Sequence, residues 1–202
     1  MFEKRGQWMV HRAPGETARR ADAVRNVESI IGAAITCLAR DPNATMADIA
    51  KEAGLGRVTL YGHFASRPAL VDAVVARVIE QGELALAEVD VDGDPRATLN
   101  RLIQSSWHLV DQSRAVVVAA QDELTAERIR QLHEGPAARV QSLIERGRER
   151  GDFRTDMPVS WQVAMLHQIL HGAGIEVSAG RLDPTHAPEL VTRTVSALLE
   201  TR

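Results

Sequence analysis

The stretch from Thr45 to Leu70, TMADIAKEAGLGRVTLYGHFASRPAL, limits what this chain can fold into more than any other. It spells two short amphipathic helices joined by a glycine turn and followed by a third. Thr45 is placed to accept from the backbone N–H of Asp48 while Asp48 reaches back, a Thr-x-x-Asp form of the capping box, so the spacing predicts a helix starting at Met46. Met46, Ile49, Ala50 and Ala53 make its apolar stripe. Gly54 supplies the positive φ that ends a helix at low steric cost, Leu55 plugs the core, and Gly56 opens a second helix reaching to about His63. That second helix carries Arg57, Val58, Thr59, Tyr61 and His63, side chains that donate to phosphates or touch base edges, while Leu60 and Phe64 point back into the domain. The pattern is a helix-turn-helix, a DNA-reading device.

The same residues carry a family resemblance. Asp48-Ile49-Ala50, Ala53-Gly54, Thr59-Leu60-Tyr61, His63-Phe64 and Ser66, with Ile31, Ala33 and Ala34 upstream, resemble the N-terminal DNA-binding domain of the TetR family of bacterial transcriptional regulators. The resemblance covers roughly residues 25 to 75; the later run GRERGDFRTD, Gly147 to Asp156, is similar to a turn that follows a long helix in the family. The chain departs from the family pattern in places. Arg67 stands where the family has a phosphate-binding Lys, exchanging a point charge for a planar fork, Leu38 replaces a Phe, the loop Asp41 to Ala44 is shorter, and Gly56 replaces a Ser. The resemblance implies an all-α fold: a helix-turn-helix DNA-binding domain followed by an antiparallel helical ligand-binding and dimerisation domain. It implies a homodimeric repressor of double-stranded operator DNA, released by a small hydrophobic or amphipathic effector. In that reading Thr45, Thr59, Tyr61, His63 and Arg67 hold phosphates, and Arg57 and Val58 face base edges.

Charge distribution agrees with one DNA-facing end. Residues 1 to 67 hold ten Lys and Arg against seven Asp and Glu, a net of +3, whereas residues 68 to 202 hold 14 against 20, a net of −6. Apolar residues make up 45% of the chain and aromatic ones only 3%, so the core is expected from Ala, Val, Leu and Ile on packed helices. Val116-Val117-Val118 is β-branched but lies among helical patterns and is read as helix. No apolar run approaches the ~20 residues that cross a bilayer, and the N-terminus lacks the apolar core of a signal peptide, so no membrane association and a cytoplasmic location are expected. Cys37 is the sole cysteine; it excludes an intramolecular disulfide and reads as a small buried hydrophobe on the first helix.

Three segments are expected: a mobile arm over residues 1–18, a helix-turn-helix domain over 19–66, and a helical body over 67–202. The first helix is predicted over Arg19 to Arg40. Ser66 caps a long helix with Pro68 in its first turn, and Asp94-Pro95 starts another carrying Leu99, Leu102, Ile103 and Trp107 on one side. Glu123 to Arg150 reads as one or two helices broken at Gly135-Pro136. The last two helices, near Pro158 to Ala179 and Pro188 to Thr201, are the most apolar, and the resemblance implies that they form the dimer interface, with Leu190, Val195 and Leu198 on its apolar face.

Other chemistry is sparse. His167 and His171 share one helix face at i, i+4, as a metal pair requires, but no Glu follows in the His-Glu-x-x-His manner and no Cys completes a set, so neither a metal nor a cofactor is assigned. The rival reading, a small helical enzyme or metal-binding protein centred on these two histidines, has no phosphate loop, nucleophile elbow or nucleophile beside a base to support it. Trp107, His108, Trp161, Met165 and His171 are the candidate walls of an effector cavity, since bulky and polar-tipped groups stand out in a body of Ala, Val and Leu.

Overall fold

The structure, a computed structural model, describes residues 14–87 and 93–200. Four of its helices begin where a hydroxyl or carboxylate is placed to satisfy an orphan N–H of the first turn. Thr45 caps α2, Ser66 caps α4, Asp94 caps α5 and Thr125 caps α7. In order the helices are α1 (Pro14–Arg40), α2 (Met46–Glu52), α3 (Arg57–His63), α4 (Arg67–Leu86), α5 (Pro95–Gln112), α6 (Arg114–Glu123), α7 (Ala126–Leu132), α8 (Glu134–Glu149), α9 (Val159–Ser178) and α10 (Ala187–Leu199). The all-α class read from the sequence is the class observed.

Two apolar clusters hold these helices together. The first joins Ile30, Ala34 and Leu38 of α1, Ile49 of α2, Leu60 of α3 and Leu70, Val71 and Val74 of α4, all nearly inaccessible to solvent. It also takes in Val116, Ala119 and Ala120 of α6, so the run of three valines is helical and reaches the helix-turn-helix. The second cluster gathers Leu86 at the end of α4, Leu99, Ile103 and Trp107 of α5, Ile144 of α8, Leu166 and Leu170 of α9 and Val191, Val195 and Leu199 of α10. Helix α4 is therefore common to both clusters, and its apolar residues at spacings of three and four run the length of the rod.

Local departures from the sequence reading have simple causes. Helix α1 begins at Pro14, not Arg19; residues 1–13 of the expected arm lie outside the described residues. The break between α7 and α8 falls at His133, and Gly135-Pro136 sits in the first turn of α8, where proline costs no hydrogen bond. Val195, expected on an intersubunit face, is fully buried within the chain, and Leu198 packs against the same cluster; the wide stripe of α10 docks on its own body. Leu190, 44% exposed, is the member of that trio left facing outward.

The segment after α8 is fixed by two glycines. Gly151 takes φ +77°, and the Gly147 carbonyl accepts from the backbone N–H groups of Asp152 (2.8 Å) and Phe153 (3.1 Å). Phe153, 1% exposed, packs its ring against Gly147, where a Cβ would stand 2.1 Å from the nearest ring carbon. Arg154 N–H then donates to the Leu199 carbonyl at 2.8 Å, tying this turn to the end of α10. Gly147→Ala should lower stability by about 1–3 kcal/mol, read as a lower denaturant midpoint, since the core must move to admit one methyl. The loss should shrink when Phe153→Leu is combined with it; strict additivity would show that the ring is not the obstacle.

Candidate nucleic-acid interface

The interface is built from the local structure upward. The capping box is complete: Thr45 N–H donates to Asp48 Oδ2 at 3.0 Å, Asp48 N–H donates to Thr45 Oγ1 at 3.3 Å, and the Thr45 hydroxyl donates to Asp48 Oδ2 at 2.6 Å. These bonds hold the Asp48 carboxyl below its ordinary pKa. Gly54 at φ +67° turns the chain, and Leu55 N–H donates back to the Ala50 carbonyl at 2.9 Å. Helix α3 then stands on a single buried side chain, Leu60, with Phe64 closing behind it. Everything else on α3 is offered outward or half-buried. Val58 is 89% exposed and Tyr61 50%, Arg57 and Thr59 are exposed, and His63 is half-buried.

In a DNA major groove, an apolar side chain held out as Val58 is would meet thymine methyls. Beside it lies an open groove of about 360 Å³ lined by Asn43, Thr45, Met46, Ala47, Arg57, Tyr61 and Arg67. The fold thus brings Thr45, Arg57, Tyr61 and Arg67 to one surface, with Val58, Thr59 and His63 on the same short helix.

Arg67, read as a phosphate holder, is engaged within the chain. Its Nε donates to Glu123 Oε1 at 2.6 Å, its Nη2 to the Pro42 carbonyl at 2.6 Å, and its Nη1 to the Ala44 carbonyl. At the first turn of α4 the planar fork reaches back across the loop before α2 and sideways to the last turn of α6. With both side chains 22% exposed, Arg67 and Glu123 clamp three segments together. Glu123 has no signal in the sequence, because its partner lies 56 residues away. A double-mutant cycle on Arg67→Ala and Glu123→Ala should give a coupling of about 0.5–3 kcal/mol in unfolding free energy; additive losses would dissolve the clamp.

The effector-wall candidates differ in burial and placement. Trp107, 5% exposed, is a core residue of the second cluster, Trp161 stands 52% exposed on the outside of α9, and Met165 is half-buried. His108 lines a different, open groove of about 410 Å³ between α4 and α5, with Ala85, Leu86, Gln104, Ser105 and Leu109. Alternating bulk in the sequence could not separate volume-filling tryptophan from a pocket wall, since both ask for large apolar groups.

His171 lies in a cluster of another kind. His133 at the α7–α8 junction packs edge-on against His167 (centroids 4.3 Å apart) and His171 (5.1 Å), and the latter two are 4.2 Å apart. Burial lowers the pKa of all three, with mutual repulsion of the charged rings adding to it for the α9 pair: His167 falls to about 4 and His171 to about 3. The unfolded chain therefore binds protons first, from the ordinary value of 6.5 downward, and stability falls as pH drops from 6.5 toward 3. Replacing His167 by Gln should flatten the slope of the denaturant midpoint between pH 7 and 4.5 in chelator-treated protein; an unchanged slope would contradict the burial of these rings.

Comparison with known proteins accords with this geometry. Residues 30–74 match the family described as bacterial regulatory proteins, tetR family. That segment, 45 of the 202 residues, is of the TetR family. The matched segment runs from the second half of α1 through the helix-turn-helix into α4. The HTH-type transcriptional repressor KstR2 of Rhodococcus jostii is 32% identical over 123 residues, 57% of this chain and 60% of that protein. The HTH-type transcriptional repressor LfrR of Mycolicibacterium smegmatis is 33% identical over 86 residues, 42% and 46% of the two chains. The chain thus spans about half to three fifths of these curated relatives. At the level of fold, the transcriptional regulator FadR from Bacillus subtilis, solved in complex with stearoyl-CoA, superposes with a TM-score of 0.69 over 84% of this chain and 97% of its own, at 15% identity. Among the described residues, no helix of this chain is long and apolar enough to cross a membrane.

Proposed function

We propose that this chain is a TetR-family transcriptional repressor that binds double-stranded operator DNA as a homodimer and is released by a small hydrophobic or amphipathic ligand. The observation that carries the reading is the outward face of α3, where Arg57, Val58, Thr59 and Tyr61 surround one buried anchor, Leu60. Arg57 and Val58 face base edges in the major groove; Thr59, Tyr61 and His63 hold phosphates and set register. Thr45 supports the same surface chiefly through its capping box, and Arg67 through its clamp on α6, so their contribution to DNA affinity is one of positioning as well as charge.

The outer faces of α9 and α10 support the dimer. Trp161 and Leu190 are large apolar groups left in solvent by a chain that otherwise buries such residues on these two helices. A ligand of mixed character fits the groove beside His108, whose walls combine Leu86 and Leu109 with Gln104, Ser105 and His108. Repression in KstR2 and LfrR and the bound stearoyl-CoA of FadR belong to those proteins, and they favour this class of function and effector here. The enzyme alternative has little to stand on: the histidine cluster brings neither Cys, Asp nor Glu within reach among the described residues.

Selection of duplex fragments from genomic DNA tests the proposal. Specific binding should fall steeply as salt rises. Val58→Ala should relax sequence preference while leaving stability within about 0.5 kcal/mol of the parent, because the side chain touches solvent alone in the free protein. Tyr61→Phe should weaken all duplexes about equally. Failure to enrich any fragment, or unchanged selectivity in Val58→Ala and Arg57→Ala, would overturn it.

A further inference from the structure

The histidine cluster lies in the body, on elements that the DNA-reading surface does not use. Its three rings come from two places in the fold: His133 caps the junction of α7 and α8, and His167 and His171 sit one turn apart on α9. One potential ligand nitrogen from each lies within 4.8 Å of the others. His133 Nδ1 lies 2.8 Å from the Ile129 carbonyl; as the donor there it fixes the ring and leaves Nε2 with its lone pair, the arrangement that orients imidazole ligands in metal sites. His167 Nε2 is buried with no hydrogen-bond partner. A buried ring nitrogen without a partner is costly as packing and useful as a ligand.

We propose that His133, His167 and His171 form a binding site for one divalent transition-metal cation of the zinc class in the body of this protein. Three imidazoles suit zinc and its late first-row neighbours and leave a fourth position for water or an oxygen donor. Tetrahedral zinc with Zn–N distances of about 2.0–2.1 Å needs nitrogens about 3.4 Å apart. Closing from 4.8 Å asks for rotation of imidazoles about a broad torsion and no change of helix register.

Occupancy pins the α7–α8 junction to α9. The junction matters because both flanking helices grip α4: Arg128 of α7 donates to both carboxylate oxygens of Asp72 (2.5 and 2.9 Å), and Arg139 of α8 donates to Glu83 (2.9 Å). A cation here stiffens the seam between α9 and the helix shared by both clusters.

Titration of chelator-treated, full-length protein with Zn²⁺ against a chromophoric competitor tests the site, with Co²⁺ as a spectroscopic probe of geometry. One equivalent per chain should bind, Co²⁺ should give the intense visible bands of a four-coordinate site, and amide exchange over residues 126–140 should slow on binding. His133→Ala and His167→Gln should each lower affinity at least 100-fold, whereas His108→Ala and His186→Ala should leave it unchanged. The milder His167→Gln, with its fold checked by circular dichroism, keeps the test decisive if His133→Ala fails to fold. Absence of stoichiometric binding at micromolar zinc, or equal binding by parent and cluster variants, would overturn the site. A six-coordinate Co²⁺ spectrum insensitive to these substitutions would assign any binding to adventitious surface histidines, with the same result. DNA binding is read separately and does not enter these outcomes.

Discussion

Helix α4 is the constraint on which the rest of the structure depends. Twenty residues give a rod of about 30 Å, long enough to pass from one apolar cluster into the other. Leu70, Val71 and Val74 close the core beneath the helix-turn-helix, and Leu86 closes the core of the body. Because one rigid element belongs to both, the orientation of α3 and the packing of the body are not independent. Three ion pairs reinforce the coupling along the rod: Arg77 with Glu28 of α1, Asp72 with Arg128 of α7, and Glu83 with Arg139 of α8. The Arg67–Glu123 clamp adds α6 at the DNA end. For exposed members each pair is worth little alone, so their role is to fix register along an interface that apolar packing stabilises.

This arrangement gives physical content to the proposed control by a ligand. An effector acts only through differential affinity for two arrangements of the protein. In this chain the groove at His108 opens on the C-terminal end of α4, at Ala85 and Leu86, while α3 is anchored near its N-terminal end. A shift of α4 by an occupant of that groove would be carried as a lever to the helix-turn-helix. The metal site, at the α7–α8 junction, bears on the same rod from its opposite partners.

Much of this was legible in the sequence where the information is local. The capping box at Thr45, the positive φ at Gly54, the bounds of α3 and the inward roles of Leu60 and Phe64 all follow from residues within a few positions of one another. What was not legible depends on long-range packing. Arg67 has a different set of partners because Glu123 arrives from α6, and Val195 is core because α10 docks on α5 and α9 of its own chain. His133 joins His167 and His171 across 34 and 38 residues, a proximity that no spacing rule contains. Trp107 and Trp161 show the same limit: one fills the core and the other stands in solvent, though both lie on amphipathic helices.

Hydroxyl-radical footprinting on a genomically selected duplex tests the central claim most directly, since it reads both the interface and its symmetry. A dimer presenting two copies of α3 should protect two patches on one face of the duplex, related by a two-fold axis and separated by one helical turn, about 34 Å, or a multiple of it. A single patch, patches without that periodicity, or no protection at concentrations that saturate binding would contradict the account.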